Sequence, residues 1–438
     1  MADEETGPRP SIESRLAKAG LPPLGRTAWI EIDTVALERN LTLIWRMSGG
    51  LAVMPVVKAD AYGHGMVPIA RVLDGAGAES LCVATLDEAI ALDDAGLRTP
   101  LVVLYPIPPS GVDEAIRRGI GVAAGDGDAL DELLAAVRSS GMADKLSVEL
   151  EVETGLGRGG IRAEDAPDAA RRIVAGAALG GVWSHLQETE VAEITAGQVA
   201  RYEAALTGLA KAGIRMPRRH LAASAAILLG NVPRYDAVRP GLITYGLIPD
   251  ELTAAGIGLD DLRPEARELR PILSLHARPV RVADLPEGHG VSYGPTWRAP
   301  RPSRIATLPL GYGDGWSRSL SNRAEVLVRG RRVPLVGNVA MDAVMADVTD
   351  VPGPPVTTAD EFVLIGRQGN VEITAAEVAR WRTTNSWEVV TAMSARLTRV
   401  YDAAAGLTGS RPLAQLENSW PGSSSGTATS ATSRSTRS

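Results

Sequence analysis

The chain has 438 residues, of which 45% are hydrophobic and 22% charged, and its formal net charge at pH 7 is −7. This length favours two domains with sizeable cores, and the acidic balance argues against nucleic acid or an anionic membrane surface as a partner. No apolar stretch approaches the roughly 20 residues that span a bilayer. The polar, acidic N-terminus does not resemble a signal peptide. We therefore expect a cytoplasmic protein that binds neither nucleic acid nor membrane.

The two ends of the chain are predicted to be loosely ordered. Residues 1–26 hold several prolines and no sustained periodicity, so we expect a loose arm. Residues 406–438 end in a Gly/Ser/Thr-rich stretch that is almost free of apolar side chains. Such a stretch cannot bury enough surface to order itself, so we expect a disordered tail.

Residues 27–265 alternate short apolar runs with helical patterns. The runs lie at 51–57, 80–84, 101–105, 119–123, 146–152, 181–184, 220–221 and 237–239. Helical patterns between them include 113–118, 129–138 and 194–212. Eight strands that alternate with helices predict an α/β fold, in which parallel βα units close into a (β/α)8 TIM-like barrel. The strand-like run 27–32 precedes the barrel and could join either domain.

Residues 266–405 have a different texture. Short strand-like runs, separated by Gly/Pro/Asp turns, lie at 272–280, 303–310, 324–328, 332–336, 344–348 and 361–365. This pattern predicts a second, mainly β domain after the barrel.

Polar residues stand at the carboxyl ends of the predicted barrel strands, where TIM-type barrels carry their active sites. They are Lys58 after the first strand, Arg158 after the fifth, His185 at the end of the sixth, Ser224 after the seventh and Arg239 at the eighth. Taken singly, each has a plainer interpretation: a solvent-exposed lysine, a core histidine, a helix-capping serine or an arginine in a surface ion pair. Their coincidence at strand ends favours a site.

Lys58 is the most informative of these residues. Of 45 basic side chains only four are lysines, so this chain uses arginine almost wherever a positive charge suffices. Only a primary amine can condense with an aldehyde, and the guanidinium of arginine cannot replace that amine. The Ser224 hydroxyl and the backbone N–H groups of Gly241 and Leu242 would suit a phosphate.

Other kinds of site are not supported by the sequence. We find neither a nucleotide-binding phosphate loop nor a dinucleotide-binding glycine motif in a βαβ context. The five histidines show no metal-ligand spacing with carboxylates, so we expect no metal site.

Seven motifs follow one another along the chain. They are VKADAYGHG at 57–65, ETGLGR at 153–158, HLAASAA at 220–226, VRPGLITYG at 238–246, GVSYGPTW at 290–297, GYGDGW at 311–316 and VGNVAMD at 336–342. In this order they resemble the motifs of the alanine racemase family, and the resemblance covers residues 27–402. The resemblance implies a barrel followed by a β domain, in a homodimer whose active sites are shared between subunits. It also implies pyridoxal 5'-phosphate (PLP) as the sole cofactor and a small amino acid as the substrate.

The resemblance implies two acid/base groups on opposite faces of the substrate. Lys58 would bind PLP covalently and act on one face, and Tyr293 from the other subunit would act on the opposite face. Racemisation requires such a pair, because one group removes the Cα proton while the other returns a proton from behind.

The remaining site residues follow from the same resemblance. Tyr62, Ser224, Gly241 and Leu242 would hold the phosphate, and Arg158 and the Met341 backbone would meet the substrate carboxylate. His185 and Arg239 would orient the cofactor, with His220 supporting Arg239, while Tyr312 and Asp342 would play supporting roles. Arg239 is expected at the pyridine nitrogen, which it cannot protonate because arginine keeps its proton.

Three positions depart from the family pattern. Glu151 stands where a carbamylated lysine is usual, and we hypothesise that its negative charge orients Arg158; the alternative is a solvated strand-end glutamate. Trp387 replaces a tyrosine at the cofactor, and Ala223 replaces an asparagine beside the phosphate. These changes bear on substrate range and cofactor affinity more than on reaction type.

We therefore predict an isomerase that interconverts L- and D-alanine and supplies D-alanine for peptidoglycan. A racemase for another small amino acid such as serine is the nearest alternative, and a PLP-dependent decarboxylase or aldolase is disfavoured by Arg239 and Tyr293. A non-catalytic PLP-binding protein would be a bare barrel, without the β domain that carries Tyr293 and Met341.

Overall fold

The computed structural model describes residues 9–142, 146–404 and 406–411. Residues 1–8 of the predicted arm and 412–438 of the predicted tail lie outside this range. The strands are β1 (Ala28–Asp33), β2 (Ala52–Val53), β3 (Leu81–Val83), β4 (Leu101–Val103), β5 (Gly121–Ala124), β6 (Ser147–Glu153), β7 (Ile161–Arg162), β8 (Ala178–Trp183), β9 (Arg218–His220), β10 (Ala237–Val238), β11 (Leu273–Ala277), β12 (Arg281–Leu285), β13 (Ser303–Leu308), β14 (Glu325–Val328), β15 (Arg331–Pro334), β16 (Val344–Asp347), β17 (Phe362–Gln368), β18 (Val371–Ile373), β19 (Thr398–Ala403) and β20 (Gly406–Arg411).

The α-helices are α1 (Ile12–Lys18), α2 (Thr34–Met47), α3 (Lys58–Tyr62), α4 (Met66–Gly75), α5 (Leu86–Asp94), α6 (Val112–Arg118), α7 (Gly127–Ser140), α8 (Ala166–Gly176), α9 (Ala192–Lys211), α10 (Ser224–Leu229), α11 (Asp250–Ala254), α12 (Ala375–Arg382) and α13 (Ser386–Thr391). In the described part of the chain, no helix combines the length and apolar character needed to cross a membrane.

The predicted barrel is confirmed. Its parallel strands follow the order β2-β10-β9-β8-β6-β5-β4-β3, and β7 pairs with β6 beside them. The ring closes where Val56, just past β2, bridges to Cys82 on β3. Each of the eight predicted apolar runs contains a strand. Parallel strands are buried on both faces, so in the sequence they appear as short apolar segments between helices.

The second domain is strand-rich, as predicted. One sheet has the order β15-β14-β17-β11-β1-β19-β20, with β18 paired to β17, and a smaller sheet has the order β12-β13-β16. Strand β1, left open by the sequence, joins this domain, since it pairs antiparallel with β11 and parallel with β19. One hydrophobic cluster runs through both domains, so their cores are continuous.

The structure differs from the prediction at both ends of the described chain. Within the expected loose arm, α1 forms and buries Ile12 and Leu16 against Trp29 of β1. Within the expected disordered tail, β20 pairs antiparallel with β19. Both elements are ordered by contacts with β1 and β19, which are distant in sequence and therefore invisible to a local pattern.

Candidate active site

A cavity of about 460 Å³ opens at the carboxyl ends of the barrel strands. Ligand sites of small molecules usually have volumes of this order. Nine predicted cofactor residues line it: Lys58, Tyr62, Arg158, His185, Ser224, Arg239, Gly241, Leu242 and Trp387. The barrel geometry brings them together because each follows a parallel strand or, for Trp387, lies on the β-domain helix α13 packed against the barrel.

Lys58 begins an unusual backbone segment. The residues that follow it in α3, 59–62, all have φ between 53° and 55°, so this short element is a left-handed turn rather than a right-handed α-helix, and it contains no glycine. Each such residue costs about 1–2 kcal/mol relative to the right-handed conformation. Strain of this kind persists only where the surroundings hold it, and it is concentrated at functional sites.

Neighbouring elements hold this turn on both sides. The Glu88 carboxylate, at the start of α5, accepts a hydrogen bond from the Ala59 N–H at 2.6 Å. From β19 of the second domain, the buried Arg399 guanidinium donates to the Gly63 carbonyl at 2.8 and 3.0 Å. The β domain therefore helps to fix the backbone that carries Lys58.

The Lys58 ammonium lies in a positively charged neighbourhood. Burial, followed by the charge of Arg158, lowers the pKa of Lys58, and Glu88 partly opposes them. Lys58 Nζ lies 6.0 Å, and Arg158 Cζ 5.4 Å, from the centroid of the Tyr105 ring. A lysine with a lowered pKa more readily gives up and accepts protons near neutral pH.

The predicted phosphate site is a compact cradle. The Ser224 hydroxyl oxygen accepts hydrogen bonds from the backbone N–H of Gly241 at 3.0 Å and of Ile243 at 3.4 Å. Ser224 is the first residue of α10 and does not cap it, so the helix-capping interpretation is wrong. A Cβ on residue 241 would lie only 2.6 Å from Tyr62 Oη, so a glycine is needed to keep this space open. The cradle, the hydroxyl and the nearby lysine fit a phosphate-bearing aldehyde such as PLP.

Arg239 is buried, which excludes a surface ion pair. Its guanidinium donates to the carbonyls of Ser184 at 2.7 Å and His220 at 3.0 Å, and to His220 Nδ1. It also lies over the Trp183 ring, with Cζ 4.6 Å from the centroid. These contacts fix the plane and position of the guanidinium at the floor of the cavity.

His185 is electrically neutral in this setting. Burial, followed by the charges of Arg239, Arg158 and Lys58, lowers its pKa to about 3. It therefore contributes an uncharged imidazole to the cavity wall at neutral pH.

Glu151 is buried beside Arg158, which argues against a solvated strand-end glutamate. Its Oε1 lies 3.7 Å from Arg158 Nη2. Burial raises the pKa of Glu151, and the charge of Arg158 opposes this rise. The loop that carries Arg158 is also tied to β6, because Glu153 accepts hydrogen bonds from the N–H groups of Gly155 and Gly157.

Trp387 lies in α13, whose first residue is clamped to the barrel domain. Asp250 accepts hydrogen bonds from the Ser386 N–H at 2.5 Å and from the Ser386 hydroxyl at 3.0 Å. Ala223 also lines the cavity. Two of the three departures from the family pattern, Trp387 and Ala223, thus both line the space where a ligand would sit.

Four predicted residues lie on the β domain, outside the cavity lining of their own chain. Tyr293 is 77% exposed, and Met341 and Tyr312 are also exposed. The fourth, Asp342, accepts a hydrogen bond from Arg396 at 2.6 Å. The structure therefore does not bring Tyr293 and Lys58 of one chain together.

Sequence reasoning missed Tyr105 and Trp183, which line the cavity. Both stand at the carboxyl end of a barrel strand, so the strand-end rule used for the polar residues would have found them if applied to aromatic residues. In the described residues, no group of three or more His, Cys, Asp or Glu side chains could hold a metal ion.

Comparison with known proteins agrees with this geometry. The family described as "Alanine racemase, N-terminal domain" matches residues 32–249, and that of the C-terminal domain matches residues 272–401. The chain belongs to the alanine racemase family. A curated alanine racemase from Symbiobacterium thermophilum is 40% identical over 380 residues, which cover 86% of this chain and 97% of that protein.

Solved structures of the family have the same fold. Alanine racemase from Bacillus anthracis with bound L-Ala-P matches with a TM-score of 0.79 and 31% identity, covering 90% of this chain and all of that one. The Bartonella henselae enzyme with covalently bound pyridoxal phosphate matches with a TM-score of 0.75 and 26% identity, over 86% of this chain and all of that one. As a member of this family, the chain is a PLP-dependent isomerase that racemises alanine.

Proposed function

We propose that this chain works as a homodimeric alanine racemase in which Lys58 of one subunit and Tyr293 of the other are the two proton-transfer groups. The observation that carries the proposal is their separation. Lys58 lines a cavity that already contains a phosphate cradle, whereas Tyr293 lies exposed on the β domain of the same chain. This separation supports a site in which a second subunit supplies the tyrosine to the first subunit's cavity.

The residues divide the work as follows. PLP, when bound, supplies a conjugated ring that withdraws electrons from the substrate's Cα–H bond. Lys58 Nζ exchanges the Cα proton on one face, and the hydroxyl of Tyr293 from the partner subunit exchanges it on the other. Each turnover removes one proton from Cα and returns one proton to it, so the two groups end the turnover with their protonation states interchanged. A proton then has to pass back between them, through solvent, before a second turnover in the same direction.

The cavity wall supplies binding and orientation. Ser224, Gly241 and Tyr62 would hold the phosphate, and Arg158 would attract the substrate carboxylate. Arg239, held by Ser184 and His220, would meet the ring nitrogen of the cofactor, which it cannot protonate because arginine keeps its own proton. A less electron-withdrawing ring disfavours side reactions such as transamination.

Trp387 and Ala223 bear on the choice of substrate. Tryptophan is bulkier than the usual tyrosine and cannot accept a hydrogen bond, so it leaves less room and less polarity for a substrate hydroxyl. This supports alanine over serine. A cytoplasmic location and a role in supplying D-alanine for peptidoglycan remain predictions.

A mixing experiment tests the shared site. Lys58→Ala and Tyr293→Phe variants are each expected to be nearly inactive. After the two are mixed, unfolded together and refolded, about half of the dimers are mixed, and each mixed dimer has one intact site. Racemisation of L-alanine should therefore recover to about a quarter of the wild-type rate.

Controls separate cofactor binding from assembly. Borohydride reduction followed by peptide mapping should place PLP on Lys58 in the Tyr293→Phe variant and nowhere in Lys58→Ala. If the mixed sample stays inactive although sedimentation shows dimers, the shared site is wrong. If Lys58→Ala still carries reducible PLP, the assignment of the cofactor lysine is wrong.

A further inference from the structure

One face of β6 carries three carboxylates at alternate positions, Glu149, Glu151 and Glu153. A strand places residues i, i+2 and i+4 on the same side, so all three share one face. Glu153 and Glu151 contact the loop that carries Arg158, near the cavity. Glu149 is the deepest, with 1% exposure, and has no part in the chemistry described above.

The Glu149 carboxylate sits in a site that the barrel leaves open for it. Its Oε2 lies 3.0 Å from His220 Nε2, and its Oε1 lies 3.5 Å from Arg218 Nη2. On the neighbouring strand β8, a Cβ on residue 181 would lie 1.9 Å from Oε2, so only a glycine leaves room for the carboxylate.

The direction of the hydrogen bonds follows from the Arg239 guanidinium, which is the donor at one end of the series. A guanidinium has donors only, so His220 Nδ1 must accept from Arg239. The proton of a neutral imidazole is then on Nε2, which donates to Glu149. Glu149, His220 and Arg239 thus form a directed relay, which we call the Glu149 relay.

We infer that Glu149 is a positioning residue for the cofactor, which acts through His220 to hold the Arg239 guanidinium at the PLP ring. This inference rests on the proposed place of Arg239 at that ring.

The charges of the relay support this inference. Burial acts to raise the pKa of Glu149, but the hydrogen bond from His220 and the charge of Arg218 outweigh it, and the net shift is downward. Burial, followed by the charge of Arg239, lowers the pKa of His220 to about 4. At neutral pH the relay is therefore a carboxylate, a neutral imidazole and a guanidinium.

Removing the carboxylate changes both geometry and charge. A buried arginine without compensating charge is costly, and the nearest route of relief is movement of its side chain. In addition, a glutamine at position 149 can present a donor to His220 Nε2, which favours the opposite tautomer and removes the acceptor from Arg239.

The test compares Glu149→Gln with Glu79→Gln. Glu79 is an exposed residue that also approaches Arg218, at 3.7 Å, but does not touch the relay. Because the chain has only five histidines, His220 can be followed by nitrogen-15 NMR in the cofactor-free protein. PLP affinity is measured separately, by absorbance titration of the same protein.

We expect Glu149→Gln to shift the His220 Nε2–H resonance and to weaken PLP binding about 10- to 100-fold, whereas Glu79→Gln changes the affinity less than about twofold. Glu149→Asp retains the charge and should recover part of both effects, which also serves if the glutamine variant does not fold. An unchanged His220 resonance and PLP affinity in Glu149→Gln would overturn the inference, as would equal effects in Glu79→Gln.

An Arg239→Lys variant separates this inference from the proposed function. If Arg239→Lys leaves the PLP affinity and spectrum unchanged, the place of Arg239 at the ring is wrong. If it changes them and Glu149→Gln does not, only the Glu149 relay is wrong.

Discussion

The barrel and the β domain carry their site residues in contrasting ways. The barrel residues are packed around a cavity and held by buried partners, as Arg239 is by His220 and Ser184. The β-domain residues Tyr293 and Met341 are exposed and lie outside the cavity lining of their own chain.

This contrast has a physical consequence. One chain can prebuild the cofactor half of the site, because the lysine, the cradle and the arginines all follow strands of one closed sheet. In the proposed homodimer, association of the subunits would place the second proton-transfer group, Tyr293, instead. Exposed aromatic and methionine side chains are typical of surfaces that become buried in an interface.

Of the substitutions considered, Tyr293→Phe should have the largest effect on the racemisation rate and should separate the two domains most clearly. Loss of the hydroxyl would remove one of the two proposed proton-transfer groups, so the racemisation rate should fall by about 10²- to 10⁴-fold. The barrel half should still work, so PLP should bind normally. Measured in D2O, only the enantiomer whose Cα–H faces Lys58 should still acquire deuterium at Cα, and little of the opposite enantiomer should form.

Equal losses of PLP binding and racemisation in Tyr293→Phe would show that the two halves are not separable. The oligomeric state of this variant, followed by sedimentation, is the control, because a failure to associate would also lower the rate.

Gly241→Ala should damage the barrel half alone. The added Cβ would lie 2.6 Å from Tyr62 Oη and would intrude on the phosphate cradle. Overpacking of this kind costs about 1–3 kcal/mol, which corresponds to a roughly 5- to 150-fold loss of PLP affinity. Absorbance titration measures the loss, and Gly256→Ala, on an open surface turn, provides a comparison for unfolding stability.

Gly256 has a positive φ, and no atom lies within 4 Å of the position that a Cβ would take there, so its substitution costs backbone strain without any steric contact. If Gly241→Ala binds PLP as tightly as Gly256→Ala, the cradle does not hold the phosphate.

Much of the barrel half could be predicted from the sequence because its signals are local. Each strand is a short apolar run, and the residue that follows it falls at the same edge of the sheet. Lys58 stood out through the scarcity of lysine, which is a property of composition.

Features that depend on distant partners could not be predicted in the same way. The contact between Glu149 and His220 joins residues 71 positions apart. The left-handed turn at 59–62 contains no glycine, so no residue type in the sequence indicated a left-handed conformation there. The sequence pattern of β1 predicts a strand but not the domain it joins, and only its pairing with β11 and β19 assigns it to the β domain. Alternation along β6 could have drawn attention to Glu149, since a charged residue on an otherwise buried strand requires a partner.

Glu151→Gln should have the smallest effect of these substitutions. Within the barrel half, it separates substrate binding, measured as KM for alanine, from PLP binding. Arg158 is partly exposed, so the 3.7 Å contact with Glu151 is worth about 1 kcal/mol or less. Loss of the negative charge should raise KM for alanine by up to about fivefold and leave PLP binding nearly unchanged. Glu164→Gln, at an exposed ion pair with Arg162, should have no effect on KM and serves as the control.

The pH dependence distinguishes a charge effect from a packing effect. Burial raises the pKa of Glu151, so as pH falls this carboxylate takes up its proton at a higher pH than an ordinary glutamate does. KM of the wild-type enzyme should therefore rise on the acid side toward the value of Glu151→Gln, while KM of the variant should lack this step. If the two acid limbs are identical, Glu151 does not act on Arg158 through its charge.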